Sequence, residues 1–343
     1  MSPRLLTPIS PHRHGEASVR RVMLDVLYAL VPGLAAYVWF FGWGIVVNIA
    51  IAVAVALGAE AFMLAARGRP VRPFLTDGSA TVTAVLLAIA VPPLAPWWVA
   101  AVGAAFAIVV AKHLYGGLGY NPFNPAMVGY VLLLISFPRV MTVWPAAAGG
   151  QPLGILDSLH IIFAGAPPGL PMDAVSGATP LDFMKVRLGA NLTVDEIRAS
   201  PLFGALSGRG WEWVSGGFLL GGLWLLYRQV ITWHIPAAML GTLFVLSLAF
   251  TAIDPGRYPP PLFHLFAGGV MLGAFFVATD PVSAATTPRG RLLYAAGIGT
   301  ILYVIRTWGG YPDGVAFAVL LMNIAAPTID HYTQPRVYGH GEA

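Results

Sequence analysis

An all-α integral membrane fold is what the sequence predicts, and three observations predict it. Mean hydropathy over the 343 residues is +0.74, with 57% hydrophobic and only 10% charged side chains, whereas soluble proteins carry roughly 25% charged residues. Apolar runs recur at close to the length needed to cross a hydrocarbon core about 30 Å thick, about 20 residues per helix. The 39 glycines and 29 prolines punctuate these runs instead of gathering in polar stretches, a pattern of membrane helices with breaks and close backbone contacts.

Taken in order, the runs predict ten spans: Val22 to Phe41, Trp43 to Ala65, Ser79 to Val91, Trp97 to Tyr115, Pro125 to Phe137, Trp211 to Tyr227, Ile235 to Ile253, Leu262 to Thr279, Leu292 to Trp308 and Gly314 to Ile329. The third and fifth are too short for a full crossing. They read as half-helices joined to irregular backbone, which is tolerated at membrane depth only where protein shields it or a cavity is lined. Trp43, Trp97, Trp98, Trp211 and Trp213 stand at span ends, as interfacial anchors do. No cleavable signal peptide is expected, since the first 19 residues are polar and lack an apolar core segment.

Orientation follows from the basic residues. With the N-terminus inside, twelve of the nineteen Lys and Arg fall in the cytoplasm, among them Arg20, Arg21, Arg67, Arg69, Arg72, Lys112, Arg228, Arg289 and Arg291. Five of the other seven, Arg139, Lys185, Arg187, Arg198 and Arg209, sit in one long loop, leaving only Arg257 and Arg306 outside; long loops weigh little in the rule. Both termini are therefore expected in the cytoplasm. The chain divides into a tail (1–21), a first five-helix repeat (22–137), an extracytoplasmic loop (138–210), a second five-helix repeat (211–329) and a tail (330–343).

A weak internal echo underlies the two repeats. "KHLYGGLGYNPFNPAMVGYVLLLI" returns in outline as "VIRTWGGYPDGVAFAVLLMNI", and the offset is 193 residues from Gly116 to Gly309 and 189 from Pro92 to Pro281. With five spans per half, the halves cross in opposite senses and form an inverted repeat whose broken helices converge near the middle. Such a core binds something, and a solute transporter or channel is one reading of it.

Other chemistries are limited by composition. There is no cysteine, hence no disulfide and no thiolate-held iron–sulfur cluster, so a redox role needs another cofactor. No phosphate loop, zinc-protease helix or dinucleotide fingerprint is present, and the net charge of +4 carries no nucleic-acid footprint. His12 and His14 have metal-ligand spacing but sit in a polar tail, and no metal site is expected. Asp25 and Glu60 in the spans, and Asp280, invite an ion-pathway reading by default, against which stands simple pairing with Arg21 or Arg67.

Two stretches carry site chemistry. In "DAVSGATPL" (Asp173 to Leu181), Thr179 precedes Pro180 with Asp182 three residues on, a helix start with Thr as N-cap and Pro at the first position; the helix "PLDFMKVRL" then runs to Gly189. The same stretch suits a modifying enzyme that esterifies a hydroxyl with a phosphate-bearing group. Ser176, Gly177 and Ala178 are too small to obstruct a second active site, Pro180 biases Thr179 to extended backbone, and the helix N-terminus favours a phosphate. In "GYNPFNPA", Asn121 and Asn124 precede a short helix; they either cap it or hold the polar edge of a ligand at the cytoplasmic face.

The D-x-x-S-G-A-T stretch (Asp173, Ser176, Gly177, Ala178, Thr179) resembles the flavinylation signature recognised by an FAD-dependent FMN transferase. With "TDGSATVTAVLLAIAVPP", "YGGLGYNPFNPAMVGYVLLLISFP" and "ATDPVSAATTPRGR", the chain from about Arg20 to Asp330 resembles a family of membrane subunits. That family joins the RnfD-type subunits of Rnf-type ion-translocating oxidoreductases to their counterparts in the sodium-pumping NADH:quinone reductase. The Rnf side of the family fits the short N-terminal tail better. The resemblance implies FMN linked through its phosphate to Thr179, a noncovalent riboflavin near Asn121 and Asn124, and a place among other Rnf subunits in a bacterial inner membrane with Thr179 on the periplasmic side. It further implies electron transfer between ferredoxin and NAD, both bound by other subunits, coupled to movement of Na⁺ or H⁺.

Overall fold

The computed structural model describes residues 19–145, 153–165 and 176–334; the tail histidines and Asp173 lie outside them. Among these residues the fold is all-α, with one two-residue antiparallel pairing, Trp144–Pro145 against Ser176–Gly177. A helix falls at each predicted span. The first half holds α1 (Val19–Phe41), α2 (Gly44–Ala66), the short α3 (Val71–Leu75), α4 (Ser79–Ala90), α5 (Trp97–Phe106, continued as a wider π-turn to His113) and α6 (Pro125–Ser136). The second holds α11 (Trp211–Tyr227), α12 (His234–Ile253), α13 (Pro261–Phe266), α14 (Val270–Leu272, continued as a π-turn to Val277), α15 (Pro288–Trp308) and α16 (Val315–Tyr332). Among the described residues, five helices have the length and apolar character to cross a membrane, one of them α3 and α4 taken together.

Starts and stops follow local chemistry. Asn124, Thr179 and Thr287 each take extended backbone, accept a hydrogen bond from the N–H three residues on, and are followed by proline; the fixed φ of proline suits a first helical turn, whose N–H needs no partner inside the helix. The predicted eighth span is divided, because Gly268 adopts a φ of +65° between α13 and α14. Gly78, with φ +84°, makes the matching break between α3 and α4. Only glycine takes that left-handed conformation without a steric penalty.

The two leading helices, α1 and α11, form one of the largest contacts and run antiparallel. Asp25 of α1 lies 3.8 Å from Arg228 just past α11, while at the other end the rings of Phe41 and Trp211 are 4.5 Å apart. Between these ends the backbones touch: a Cβ on Gly217 would collide with Gly33, and one on Gly221 with the Ala29 carbonyl. Small residues permit such approach where helix association depends on van der Waals fit. In each half the second helix packs on the fourth, α2 on α5 and α12 on α15, and the fifth helices, α6 and α16, meet at the centre.

The long loop is more ordered than a loop reading implies. It contains α7 (Pro138–Met141), α8 (Ile155–Ala164), α9 (Pro180–Gly189) and α10 (Val194–Arg198). Leu181, Met184, Val194, Ile197 and Phe203 form a second small core with Phe263 and Ala267. That core seats the segment on the broken element of the second half. Helix α9 takes in Gly189 and ends one residue later, at Ala190, with Asn191 left-handed at φ +64°.

Candidate functional site

Between the halves, at the end where Phe41 meets Trp211, a cleft opens with an empty volume of about 1340 Å³, part of it continuous with solvent. Tyr37, Trp144 and Trp211 supply aromatic wall, Met127, Leu134 and Val277 supply apolar depth, and Thr179 stands on the lining. Mostly apolar clefts with a few placed polar groups are the ordinary form of a site for an organic cofactor.

Thr179 is held by four devices. Its φ of −67° and ψ of 156° are extended, as the following proline requires. Its Oγ1 accepts a hydrogen bond of 3.2 Å from the Asp182 N–H, while Gly177 and Ser176 pair with Trp144 and Pro145. Lys185, one turn into α9, donates to the carbonyls of Ile305 at 3.1 Å, Arg306 at 3.2 Å and Tyr311 at 2.9 Å. It thereby pins α9 on the C-terminal end of α15, where a cation is favoured. Burial pushes the Lys185 ammonium below the usual lysine range, and the Asp182 carboxylate partly opposes this. Thr179 is half-buried and Ala178 exposed, so the hydroxyl borders both the cleft and solvent.

Under the cleft lies a buried cation that counts in the sequence only as a topological charge. Arg306 of α15 donates to the carbonyls of His264 (2.6 Å) and Ala267 (2.8 Å), which the break after α13 leaves without helical partners, and to Asp313 Oδ1 (3.1 Å). Asp313 Oδ2 accepts the N–H of Gly269 at 2.8 Å. Both carbonyl ends and one amide of the break are thus satisfied by two side chains, which a buried broken helix requires. Arg306 falls within one position of the match to Lys112 in the internal echo, and that register was the available signal.

A family model described as NQR2, RnfD, RnfE family matches residues 6–339. The chain belongs to that family. It is 57% identical over 338 residues to the D-type subunit of the ion-translocating oxidoreductase complex of Alcanivorax borkumensis, covering 98% of this chain and 97% of the relative. The protein of the same name in Pseudomonas paraeruginosa is 55% identical over 338 residues (98% and 96%), and that of Aliivibrio salmonicida 51% over 341 (96% and 97%).

In this member of the NQR2, RnfD, RnfE family the remaining predicted polar residues take definite places. Asn124 is buried, caps α6 by accepting from Met127 N–H at 3.2 Å, donates its amide to the Val277 carbonyl at 3.2 Å, and donates its backbone N–H to Asn323 Oδ1 at 3.2 Å. Asn121, also buried, donates to the Phe123 carbonyl at 3.0 Å. Neither stands on the lining of the cleft that Thr179 borders. Glu60 pairs with Lys112 at 2.6 Å and approaches His113 at 3.5 Å, rather than reaching Arg67. Asp25 faces Arg228, and Asp280 accepts from Val282 N–H and the Ser283 hydroxyl. Trp43, Trp97 and Trp213 are exposed, as anchors should be, whereas Trp211 is buried in the aromatic wall.

Proposed function

We propose that this chain is the RnfD-type membrane subunit of an ion-translocating oxidoreductase and carries FMN as a phosphoester on Thr179. The single observation that carries the cofactor reading is the placement of Thr179: a hydroxyl on extended backbone at a helix N-terminus, flanked by small residues, on the lining of an aromatic cleft. The names of the relatives support membership of the complex. The residues fit the group, since Trp144, Trp211 and Tyr37 offer flat apolar surface and the α9 N–H groups face the ester position.

When bound, the flavin supplies chemistry that accepts electrons singly or in pairs, so it joins one-electron iron–sulfur partners to two-electron nicotinamide chemistry. The chain's own work is to hold and orient. Thr179 is a tether and takes no part as acid, base or nucleophile in the redox step. Lys185 and the small core around Leu181 hold the tether over the second half, and Trp211 with Phe41 closes one wall. In this reading ferredoxin and NAD bind other subunits, an FMN transferase loads Thr179 on the periplasmic side of the inner membrane, both termini are cytoplasmic, and Na⁺ or H⁺ is moved by the assembled complex. A second, noncovalent flavin, riboflavin, belongs to the same reading near Asn121 and Asn124, with Asn124 already committed to the cap of α6.

The test is direct. Chain produced together with the transferase and run on a denaturing gel should fluoresce under ultraviolet light and gain the mass of FMN less one water; Thr179→Ala should be dark and lack the adduct. A dark wild-type band would overturn the cofactor reading and leave a solute transporter or channel as the better account of the fold.

A further inference from the structure

Tyr37 sits four residues before Phe41 in α1, is 1% exposed, and lines the same cleft as Thr179. Its ring is fixed by Phe41 at 5.2 Å and by the edge of Trp211 at 5.9 Å. Its hydroxyl is buried and has no hydrogen-bond partner among the described residues. Three polar side chains on the cleft lining are engaged elsewhere: Thr142 donates to the Pro138 carbonyl, Trp144 to the Met141 carbonyl, and Asp313 accepts from Arg306. A buried tyrosine hydroxyl ordinarily finds a partner. Packing alone does not call for it, since a phenylalanine, Phe41, serves at the adjoining ring position one turn on.

We infer that the Tyr37 hydroxyl donates a hydrogen bond to the polar edge of the ring system tethered at Thr179, fixing the ring's orientation in the cleft and favouring its reduced form. The inference rests on the reading of Thr179 given above. An isoalloxazine has a benzenoid end without polar atoms and an opposite edge of carbonyl oxygens and ring nitrogens that accept hydrogen bonds. The apolar depth around Met127, Leu134 and Val277 accommodates the first, and Tyr37 meets the second. Reduction places electron density on the polar edge, so a donor there binds the reduced ring more strongly than the oxidised one and raises its midpoint potential.

The experiment is Tyr37→Phe in the full chain, produced with the transferase, with Tyr303→Phe as a control at a buried tyrosine outside the cleft. Expected are wild-type covalent flavin content, a shifted flavin absorption spectrum and a lower midpoint potential, with the potential unmoved in Tyr303→Phe, and, in chain made without the transferase, thermal stability equal to or above wild type. Wild-type spectrum and potential in loaded Tyr37→Phe would overturn the inference. So would a drop in stability of Tyr37→Phe in chain made without the transferase, because it would show that the hydroxyl serves a protein partner. Absence of flavin from the wild-type chain would instead remove the reading of Thr179, and the gel separates the two failures before any potential is measured.

Discussion

At the scale of single residues, the loop segment uses short polar side chains to start helices, and two threonines show it. Thr179 caps α9 and Thr193 caps α10. At the second, Glu196 closes the capping box by accepting from the Thr193 N–H at 2.7 Å and its hydroxyl at 2.8 Å. These bonds, the backbone one first, hold the Glu196 carboxyl below the usual glutamate range. A carboxylate whose folded pKa is depressed contributes stability in full above its unfolded pKa, roughly 4.3, and loses it as pH falls through the lower folded value. Amide exchange over 193–198 should therefore speed up as pH drops below that point after correction for intrinsic rates, and Glu196→Gln should flatten the dependence; equal curves would refute it. The Thr179 cap was legible in the sequence because a cap involves neighbours three residues apart. The Tyr37 hydroxyl was not, because whether a polar atom lacks a partner depends on what packs around it.

At the scale of elements, the breaks α3/α4 and α13/α14 are related: each turns on a left-handed glycine, and each is held by a buried base from the fourth helix of its own half. Lys112 donates to Glu60 at 2.6 Å and to the Ser79 hydroxyl at the start of α4 at 2.7 Å. Arg306 does the corresponding work at α13. Removing one member of a buried ion pair strands the other, at a cost of about 3–5 kcal/mol, while replacing both by apolar side chains is often neutral or better. Lys112→Met should therefore lower thermal stability strongly, and Glu60→Leu with Lys112→Met should recover most of it; a double variant as unstable as the single one would exclude the pair as the cause. The short helices α4 and α6 were readable from short apolar runs ending or starting at proline. The partner of Glu60 was not, since Arg67 is near in sequence but the fold brings Lys112 from another helix, and Asp25 likewise meets Arg228 from the opposite half.

At the scale of the whole molecule, the antiparallel α1 and α11 put the two buried bases at opposite ends. Lys112 lies near Arg69, whose side chain reaches the Gly116 carbonyl at 3.1 Å, and Arg306 lies beneath the segment carrying Thr179. The chain has no native cysteine, so single cysteines report orientation cleanly. In whole cells with a permeable outer membrane, Asp195→Cys on the exposed face of α10 should react with a membrane-impermeant maleimide, and Arg289→Cys at the exposed start of α15 should react only after lysis. The reverse pattern would invert the proposed topology. By itself the sequence determined the membrane class, the positions of the helices, the family resemblance and the threonine to watch, because apolar run length, proline and glycine punctuation and short motifs are local properties of a chain. Only the tertiary structure decided that Thr179 shares a cleft with Tyr37 and Trp211, and that two charges counted for topology are buried pins. Clefts and ion pairs form between segments far apart in the chain, and no local pattern encodes which of them will meet.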